Sequence, residues 1–252
     1  MNYLQQYLST SLIATTALLG GVSPAWAQVS LGAASDFAIL GATAVTCTNG
    51  VVTGDVGVAP GSAYTNTGCT IAGAVPPATN AAAVTAHTDF LGAYQALETA
   101  SCTQMLSGLA NLNLAPGVYC VDSVAKTGTL TLTGPSSGVW TFKVDGGLTG
   151  TNFSVVMAGG GLACNVYWAP TAGVTMTTSA LKGNILAGNA ADGSVTMTGG
   201  TLTGRALANV GVTLTGTGVV GCSALTGAST TATNPTHTHT KNQSISPFGS
   251  KS

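Results

Sequence analysis

Short stretches in which apolar and polar residues alternate fill most of the chain after residue 30. In Val174-Thr175-Met176-Thr177 the valine and methionine share one side of an extended strand, and the two threonines share the other. The same alternation returns at 195–198 and at 212–215. Since apolar side chains face a protein interior, the pattern predicts strands whose threonines point outward.

Other short elements return in the same order, which predicts a solenoid. Gly183-Asn184-Ile185-Leu186-Ala187 is followed by Gly204-Arg205-Ala206-Leu207-Ala208. A repeat of roughly 20 residues, with short strands and glycine corners, is typical of a β-helix whose stacked turns share one core. A β-sandwich also has many short strands, but it does not require the same strand chemistry to return in order. We therefore expect a mainly β, right-handed β-solenoid.

Residues 78–100 differ from the rest and predict one long α-helix packed alongside the solenoid. Pro76-Pro77 closes the preceding loop, and Thr79 is placed to cap the helix. The side chains expected to recur on one helical stripe are Val84, His87, Leu91, Tyr94 and Glu98, with Leu97 beside them. On this stripe we interpret His87 as a partly buried structural histidine.

The two ends of the chain differ from the expected domain at 28–227. Residues 1–27 have the short apolar core and the Ala25-Trp26-Ala27 cleavage site of a secretory signal peptide, although no Lys or Arg precedes that core. A buried N-terminal helix is the alternative. Residues 228–252 are rich in Thr and Ser, which predicts a disordered tail. We expect a secreted, extracellular protein.

Six cysteines fit an oxidising compartment. Cys47 with Cys69, and Cys102 with Cys120, are plausible local disulfides, but spacing alone does not fix the pairing. Cys164 lies in an apolar strand and is open to interpretation as a bridge or as a buried free thiol. No Cys/His cluster indicates a metal site; His237 and His239 in the tail are better explained as solvated residues.

The near absence of charge excludes several classes of binding partner. Only 5% of residues are charged and the net charge is −1, so no basic surface for nucleic acid or an anionic membrane is expected. After the N-terminus no apolar run approaches the roughly 20 residues of a membrane helix. The surface must be neutral, made of Thr, Ser, Asn and backbone.

The outward threonines are the candidate site. Stacked in register, they would form two columns, with about 4.8 Å between rungs and about 6.7 Å between alternate residues of a strand. Threonine is stiff at χ1, so such a grid could hold water in an ice-like arrangement, which nearby charges would disturb. On this pattern alone, ice binding, adhesion and a structural surface all stay open, since outward threonines also suit any exposed strand. The candidate residues are Thr129, Thr131, Thr149, Thr151, Thr175, Thr177, Thr196, Thr198, Thr213 and Thr215.

Several elements also resemble, in sequence order, the microbial ice-binding proteins with a discontinuous β-solenoid. These elements are Leu31-Gly32-Ala33-Ala34-Ser35-Asp36-Phe37-Ala38-Ile39-Leu40, Val52-Thr53-Gly54-Asp55-Val56-Gly57-Val58-Ala59-Pro60-Gly61, Leu114-Ala115-Pro116-Gly117-Val118-Tyr119, Val139-Trp140-Thr141-Phe142, Ala163-Cys164-Asn165-Val166-Tyr167-Trp168 and the two elements beginning at Gly183 and Gly204. They span roughly residues 30–222, with the predicted helix inserted at the family's position.

The resemblance implies a three-faced solenoid whose first turns are separated in sequence from the others by the helix. It also implies binding to ice through one flat face, thermal hysteresis, inhibited ice recrystallisation and no cofactor. Some members carry T-A/G-x-T/N motifs, which Thr43-Ala44-Val45-Thr46, Thr149-Gly150-Thr151-Asn152 and Thr198-Gly199-Gly200-Thr201 match. Trp140 and Trp168 are expected in the core.

Two other functional classes are weaker interpretations. Polysaccharide-cleaving β-helices need clustered acidic or basic groups, whereas the seven acidic residues here form no spaced pair; we expect no enzyme. A secreted adhesin or surface-matrix protein using the same face for carbohydrate is the main alternative, although aromatic residues make up only 6% of the chain. The expected partner is ice, bound by a monomer.

Overall fold

The computed structural model describes residues 29–123 and 125–222. The predicted signal peptide at 1–27 and the predicted tail at 228–252 lie outside these residues. The described chain is mostly β-strand, with one long helix.

Before the helix come the 3-10 turn η1 (Gly32–Asp36) and the strands β1 (Phe37–Gly41), β2 (Ala44–Thr48), β3 (Val51–Thr53), β4 (Asp55–Val58), β5 (Ala63–Thr67) and β6 (Thr70–Ala72). The helix α1 (Asn80–Thr99) is followed by β7 (Gln104–Leu106), β8 (Asn113–Leu114), β9 (Gly117–Asp122), β10 (Lys126–Thr133), β11 (Trp140–Asp145) and β12 (Leu148–Ala158). Last come η2 (Ala163–Asn165), β13 (Val166–Pro170), β14 (Val174–Thr177), β15 (Ala180–Ala187), β16 (Val195–Thr198), β17 (Thr201–Ala208), β18 (Gly211–Thr215) and β19 (Gly218–Val220).

All strand pairings are parallel, and they form three faces around one core. The helix face is the ladder β7-β9-β11-β13-β15-β17-β1-β4. The threonine face runs β12-β14-β16-β18-β2-β5. The mixed face runs β8-β10-β12-β15-β17-β19-β3-β6. The long strands β12, β15 and β17 bend at corners and contribute to two faces each. The predicted three-faced β-solenoid is confirmed.

The stacking order is discontinuous in sequence. β1, β2 and β3 pair with β17, β18 and β19, so the first turns of the chain lie on top of its last turns. After β6 the chain must reach the opposite end of the stack, where β7 begins. A 20-residue helix is about 30 Å long, and eight rungs spaced about 4.8 Å apart extend over about 34 Å. The helix therefore returns the chain along the solenoid.

The core is filled by the inward side of every strand. Trp140 and Trp168 are both fully buried, as predicted. Tyr119, Phe142 and Trp168 occupy consecutive rungs of the helix face and stack inside it, with ring centroids 5.5 and 4.2 Å apart. Because each turn contributes an apolar layer that only its neighbours cover, the rungs stabilise one another.

The outer side of the helix face is itself apolar, and α1 covers it. Leu40, Leu186 and Leu207 stack on adjacent rungs and are completely buried. The helix presents to them a stripe of mostly small side chains, namely Ala83, Ala86, Phe90, Ala93 and Leu97. Small residues allow the helix axis to approach the sheet closely, and Phe90 fills the remaining space.

The predicted helix is confirmed within two residues at each end, but the predicted stripe was wrong by about one position. Val84 is 56% exposed, whereas Ala83 and Ala86 are buried. The prediction favours large side chains, whereas the packing of α1 against the solenoid selects alanines. The Thr79 hydroxyl does not cap the helix. It donates instead to the Val56 carbonyl of the solenoid at 2.7 Å, which anchors the start of α1 to β4.

Three disulfides fasten the described chain, and none of its cysteines is free. The pairings Cys47–Cys69 and Cys102–Cys120 are confirmed. Cys164 is a bridge to Cys222 rather than a free thiol. The Cys47–Cys69 bridge joins the last two rungs of the threonine face, because Cys47 lies in β2 and Cys69 follows β5.

Candidate functional site

The threonine face carries twelve threonines in two unbroken columns. In register across six strands, each rung contributes one residue to each column. The first column is Thr149, Thr175, Thr196, Thr213, Thr46 and Thr65; the second is Thr151, Thr177, Thr198, Thr215, Thr48 and Thr67. With a rung spacing of about 4.8 Å, each column is about 24 Å long. None of the twelve side chains is buried.

Eight of the ten threonines predicted from the sequence lie in these columns. Thr129 and Thr131 do not, because their part of β10 pairs with Ser154 and Val156 of β12 on the mixed face. The predicted set leaves out Thr46, Thr48, Thr65 and Thr67, although Thr46 belongs to the T-A/G-x-T/N match at 43–46. Their alternation in Val45-Thr46-Cys47-Thr48 was visible, but these strands precede the helix, so the repeat that begins after it did not reach them.

The inward neighbours of the columns keep the threonines pointing outward. Between the two threonines of successive strands lie Met176, Met197 and Leu214, each almost completely buried. The first rung has Gly150 at this position, and a Cβ there would lie 2.6 Å from the Met176 sulfur. The glycine therefore makes room for the methionine of the next rung, so that the two rungs remain in contact.

A column of left-handed residues ends every rung of the threonine face. The residue after each second-column threonine has a φ between 46° and 75°. These residues are Asn152, Thr178, Gly199, Gly216, Asn49 and Gly68. Glycine and asparagine accept this conformation readily, whereas a β-branched residue such as Thr178 does not. Since all six strands turn in the same way at the same place, the edge of the face is straight.

The twelve hydroxyls of the columns are open to solvent partners. Within residues 29–123 and 125–222, none of the twelve is hydrogen-bonded to a protein atom. Some hydroxyls beside the columns are engaged: Thr43 donates to the Val210 carbonyl at 2.8 Å, and Thr178 to the Asn152 side chain at 2.6 Å. The face thus offers a regular array of methyls and unengaged hydroxyls, with no charged residue in either column.

The acidic residues that are scattered in the sequence are partly brought together. Glu98, Asp122 and Asp145 line one cleft of about 610 Å³ beside the end of α1, together with Lys143. Lys143 donates to the Glu98 and Ala100 carbonyls, which caps the helix C-terminus. Burial raises the pKa of Glu98, and the Asp145 carboxylate raises it further, against the opposing effect of Lys143. The cleft lies on the helix face, and none of the column threonines lines it.

The other candidate groups have structural contacts. His87 is half-buried, and its Nε2 lies 2.9 Å from the Asn209 side-chain oxygen, which ties the helix to the solenoid. Among the described residues, no group of three or more His, Cys, Asp or Glu side chains is arranged to hold a metal ion. No helix in the same residues has the length and apolar character to cross a membrane. His237 and His239 lie outside the described residues.

The fold and this surface define a class of protein: a discontinuous parallel β-solenoid with one covered face and an open, uncharged threonine face. The comparison with protein families gives the class its name. The sequence profile of the family described as Ice-binding-like matches residues 39–220, and the chain belongs to this family.

Individual proteins similar to this chain are also ice-binding proteins. The chain is 32% identical over 210 residues to the ice-binding protein K3-B1 of Typhula ishikariensis, covering 72% of this chain and 86% of that protein. It is 34% identical over 164 residues to an ice-binding protein of Nostoc sp. strain HG1, covering 62% and 61%. An ice-binding protein structure from the ascomycete Antarctomyces psychrotrophicus has a TM-score of 0.66 at 29% identity, covering 77% of this chain and 98% of that one.

Proposed function

We propose that this protein adsorbs to ice through the threonine face, and that adsorption causes thermal hysteresis and inhibits ice recrystallisation. The observation that carries the proposal is the pair of six-rung columns of threonines with unengaged hydroxyls. The Ice-binding-like family and the relatives named as ice-binding proteins support it.

The geometry supports a mechanism of ordered water. A methyl cannot hydrogen-bond, so water beside it must bond to other water molecules around it. A hydroxyl next to that methyl can accept from and donate to the same water layer. When both groups repeat at fixed spacing on a stiff sheet, the water layer acquires the repeat of the sheet. A layer that already approximates an ice plane merges with the crystal at a small entropy cost.

The lack of charge serves the same mechanism. An ammonium or carboxylate orients the surrounding water toward itself, which conflicts with a lattice arrangement. No charged side chain belongs to the columns: Lys143 caps the helix, and Lys126, whose backbone pairs with Gly150 at the end of the threonine face, turns inward and is buried against Asp122. A non-catalytic role follows from this design, since the site is a flat array rather than a cleft with paired acid and base groups.

We also propose that the protein is secreted and acts as a monomer, with ice rather than nucleic acid or a membrane as its partner. Three disulfides within residues 29–222 fit an oxidising environment. No relative reported above supports the adhesin alternative, and the threonine columns contain no aromatic side chain that would stack on a sugar.

Nanolitre osmometry on the protein beginning at Gln28 tests this proposal. We expect a gap between the melting and freezing temperatures, faceted crystals during cooling, and slower recrystallisation of a frozen sucrose solution. Circular dichroism on the same sample establishes that it is folded. A folded protein that shows no gap, no crystal shaping and no effect on recrystallisation would refute the proposed function.

A further inference from the structure

The mixed face is a second open sheet, and two columns of outward residues run along it. The column beside the threonine face is Thr129, Ser154, Ala180, Thr201, Gly218, Val51 and Thr70. Beyond it, Asn113, Thr131 and Val156 occupy consecutive rungs at one end, and Lys182, Thr203, Val220, Thr53 and Ala72 continue at the other. Thr129 and Thr131, two of the residues predicted from the sequence, belong here.

This face has the chemical character of the threonine face in a less regular form. Apart from Asn113 and Lys182, its outward residues are small or β-branched, and Val51, Val156 and Val220 are 56%, 44% and 39% exposed. Valine differs from threonine only in having a second methyl in place of the hydroxyl. No described element covers these residues, in contrast to the helix face. The rung spacing is the same, because both faces are parallel ladders of the same solenoid turns and β12 belongs to both.

The two open faces are joined by a tight and uniform corner. Only Gly199 and Gly200 separate Thr198 on the threonine face from Thr201 on the mixed face. The left-handed residue at the same place on every rung makes this corner straight along the stack. A water layer ordered on one face can therefore continue around the edge without crossing a charged or mobile loop.

Lys182 is the one ionic side chain in the columns of the mixed face. Its ammonium donates to the Thr203 hydroxyl at 2.8 Å. Among the described threonines of these columns, Thr203 alone has a hydroxyl that is hydrogen-bonded to a protein group. The charge lies in the middle of the stack, where it breaks the outer column into two short neutral segments. A strongly hydrated ammonium at this position opposes an ice-like water layer.

We propose that the mixed face is a second ice-binding surface, that it lets one molecule adsorb to ice planes of a different orientation from those bound by the threonine face, and that Lys182 limits it. This inference rests on the proposed function, since it assigns to a second surface the partner proposed for the first. The inference goes beyond the proposed function, because the threonine face alone would be enough for adsorption to ice.

The test uses fluorescently labelled protein adsorbed to a single-crystal ice hemisphere, on which each bound plane gives its own fluorescent patch. Thr196→Tyr disables the threonine face, Val220→Tyr disables the mixed face, and Thr85→Tyr on the exposed side of α1 controls for adding a tyrosine. We expect Thr196→Tyr to lose one set of patches and keep another, and Val220→Tyr to show the complementary loss. The double variant should bind no plane.

Lys182→Thr provides a gain that a purely structural effect would not produce. Placed in the Thr196→Tyr protein, it should strengthen the remaining patches and raise the residual thermal hysteresis, because it completes the neutral column and releases the Thr203 hydroxyl. Thermal unfolding of each variant establishes that the fold is retained.

The outcomes separate this inference from the proposed function. If Thr196→Tyr alone removes every patch, and Lys182→Thr restores none, the mixed face does not bind ice while the threonine face does. If Thr196→Tyr leaves all patches and Val220→Tyr removes all of them, the proposed assignment to the threonine face is wrong. If the wild type itself binds no plane, the proposed function fails together with the inference.

Discussion

The helix face and the threonine face are both parallel ladders of the same solenoid, but one is covered by a helix and the other is open. On the helix face the outward column contains Leu40, Leu186 and Leu207, and α1 buries it completely. On the threonine face the corresponding outward positions are threonines, and no described element covers them. The backbone geometry is common to both, so the outward side chains alone decide what each face contacts.

This difference shows how one solenoid separates stability from binding. The leucine column gains free energy by leaving water, at roughly 25 cal/mol for each Å² of apolar surface buried, and it fixes the helix in place. The threonine column has neither enough apolar surface to attract a helix nor any charge to hydrate strongly. Changes on the helix face should therefore alter unfolding, and changes on the threonine face should alter ice binding.

The largest expected effect on stability comes from removing the main contact of the helix. Phe90→Ala deletes a fully buried ring between α1 and the solenoid, which should lower the free energy of unfolding by about 3–5 kcal/mol. Urea denaturation followed by circular dichroism measures the change. Val84→Ala is the matched control, since Val84 is largely exposed on the same helix and should change stability by less than about 0.5 kcal/mol. Equal losses in the two variants would contradict the packing of α1 on the solenoid through Phe90.

A smaller effect is expected at the corner that borders the threonine face. Thr178 is a β-branched residue with a φ of 46°, and Thr178→Asn should raise the free energy of unfolding by about 1 kcal/mol by relieving backbone strain. The asparagine amide can donate to the Asn152 side-chain oxygen in place of the Thr178 hydroxyl. Asn49 occupies the equivalent corner with a φ of 51°, so Asn49→Thr should have the opposite sign. Thermal hysteresis should be retained in Thr178→Asn, because Thr178 lies outside both columns. A stability change of the same sign in both variants would be inconsistent with corner strain.

The smallest effect is expected from Glu98 at the end of the helix face. Burial raises the pKa of its carboxyl, so the fold favours the protonated form. The stability contributed by that form is complete below the pKa of the unfolded chain and is lost as the pH rises through the folded pKa. Glu98→Gln should remove this dependence, so that the variant loses less stability than the wild type between about pH 4 and pH 7. Urea midpoints at the two pH values measure it, and parallel pH profiles would count against the assignment.

Much of the solenoid was predictable because its strands are short and self-similar. The repeat of valine, threonine and methionine at 174–177 and 195–198 predicted adjacent rungs, and Thr175 does pair with Thr196. Alternation also predicted which residues point outward. The helix was predictable because its alanine-rich composition differs from everything around it.

Other features depend on contacts that a linear pattern does not contain. The joining of β2 to β18 places Thr46 beside Thr213, although they are far apart in sequence. Thr129 and Thr131 alternate with leucines in the same way as the site threonines, but the bend of the chain puts them on another face. Only the register of the stack distinguishes the two faces. The buried helix stripe was missed by one position because packing distance favoured alanine over valine.

The most direct test of the threonine face compares thermal hysteresis in a matched pair of tyrosine variants. Thr196→Tyr places a large ring in the middle of the first column, whereas Thr85→Tyr places the same ring on the exposed side of α1. We predict that Thr196→Tyr loses most of the hysteresis gap with an unchanged unfolding temperature, and that Thr85→Tyr keeps both. Full hysteresis in a folded Thr196→Tyr protein would contradict the assignment of ice binding to this face.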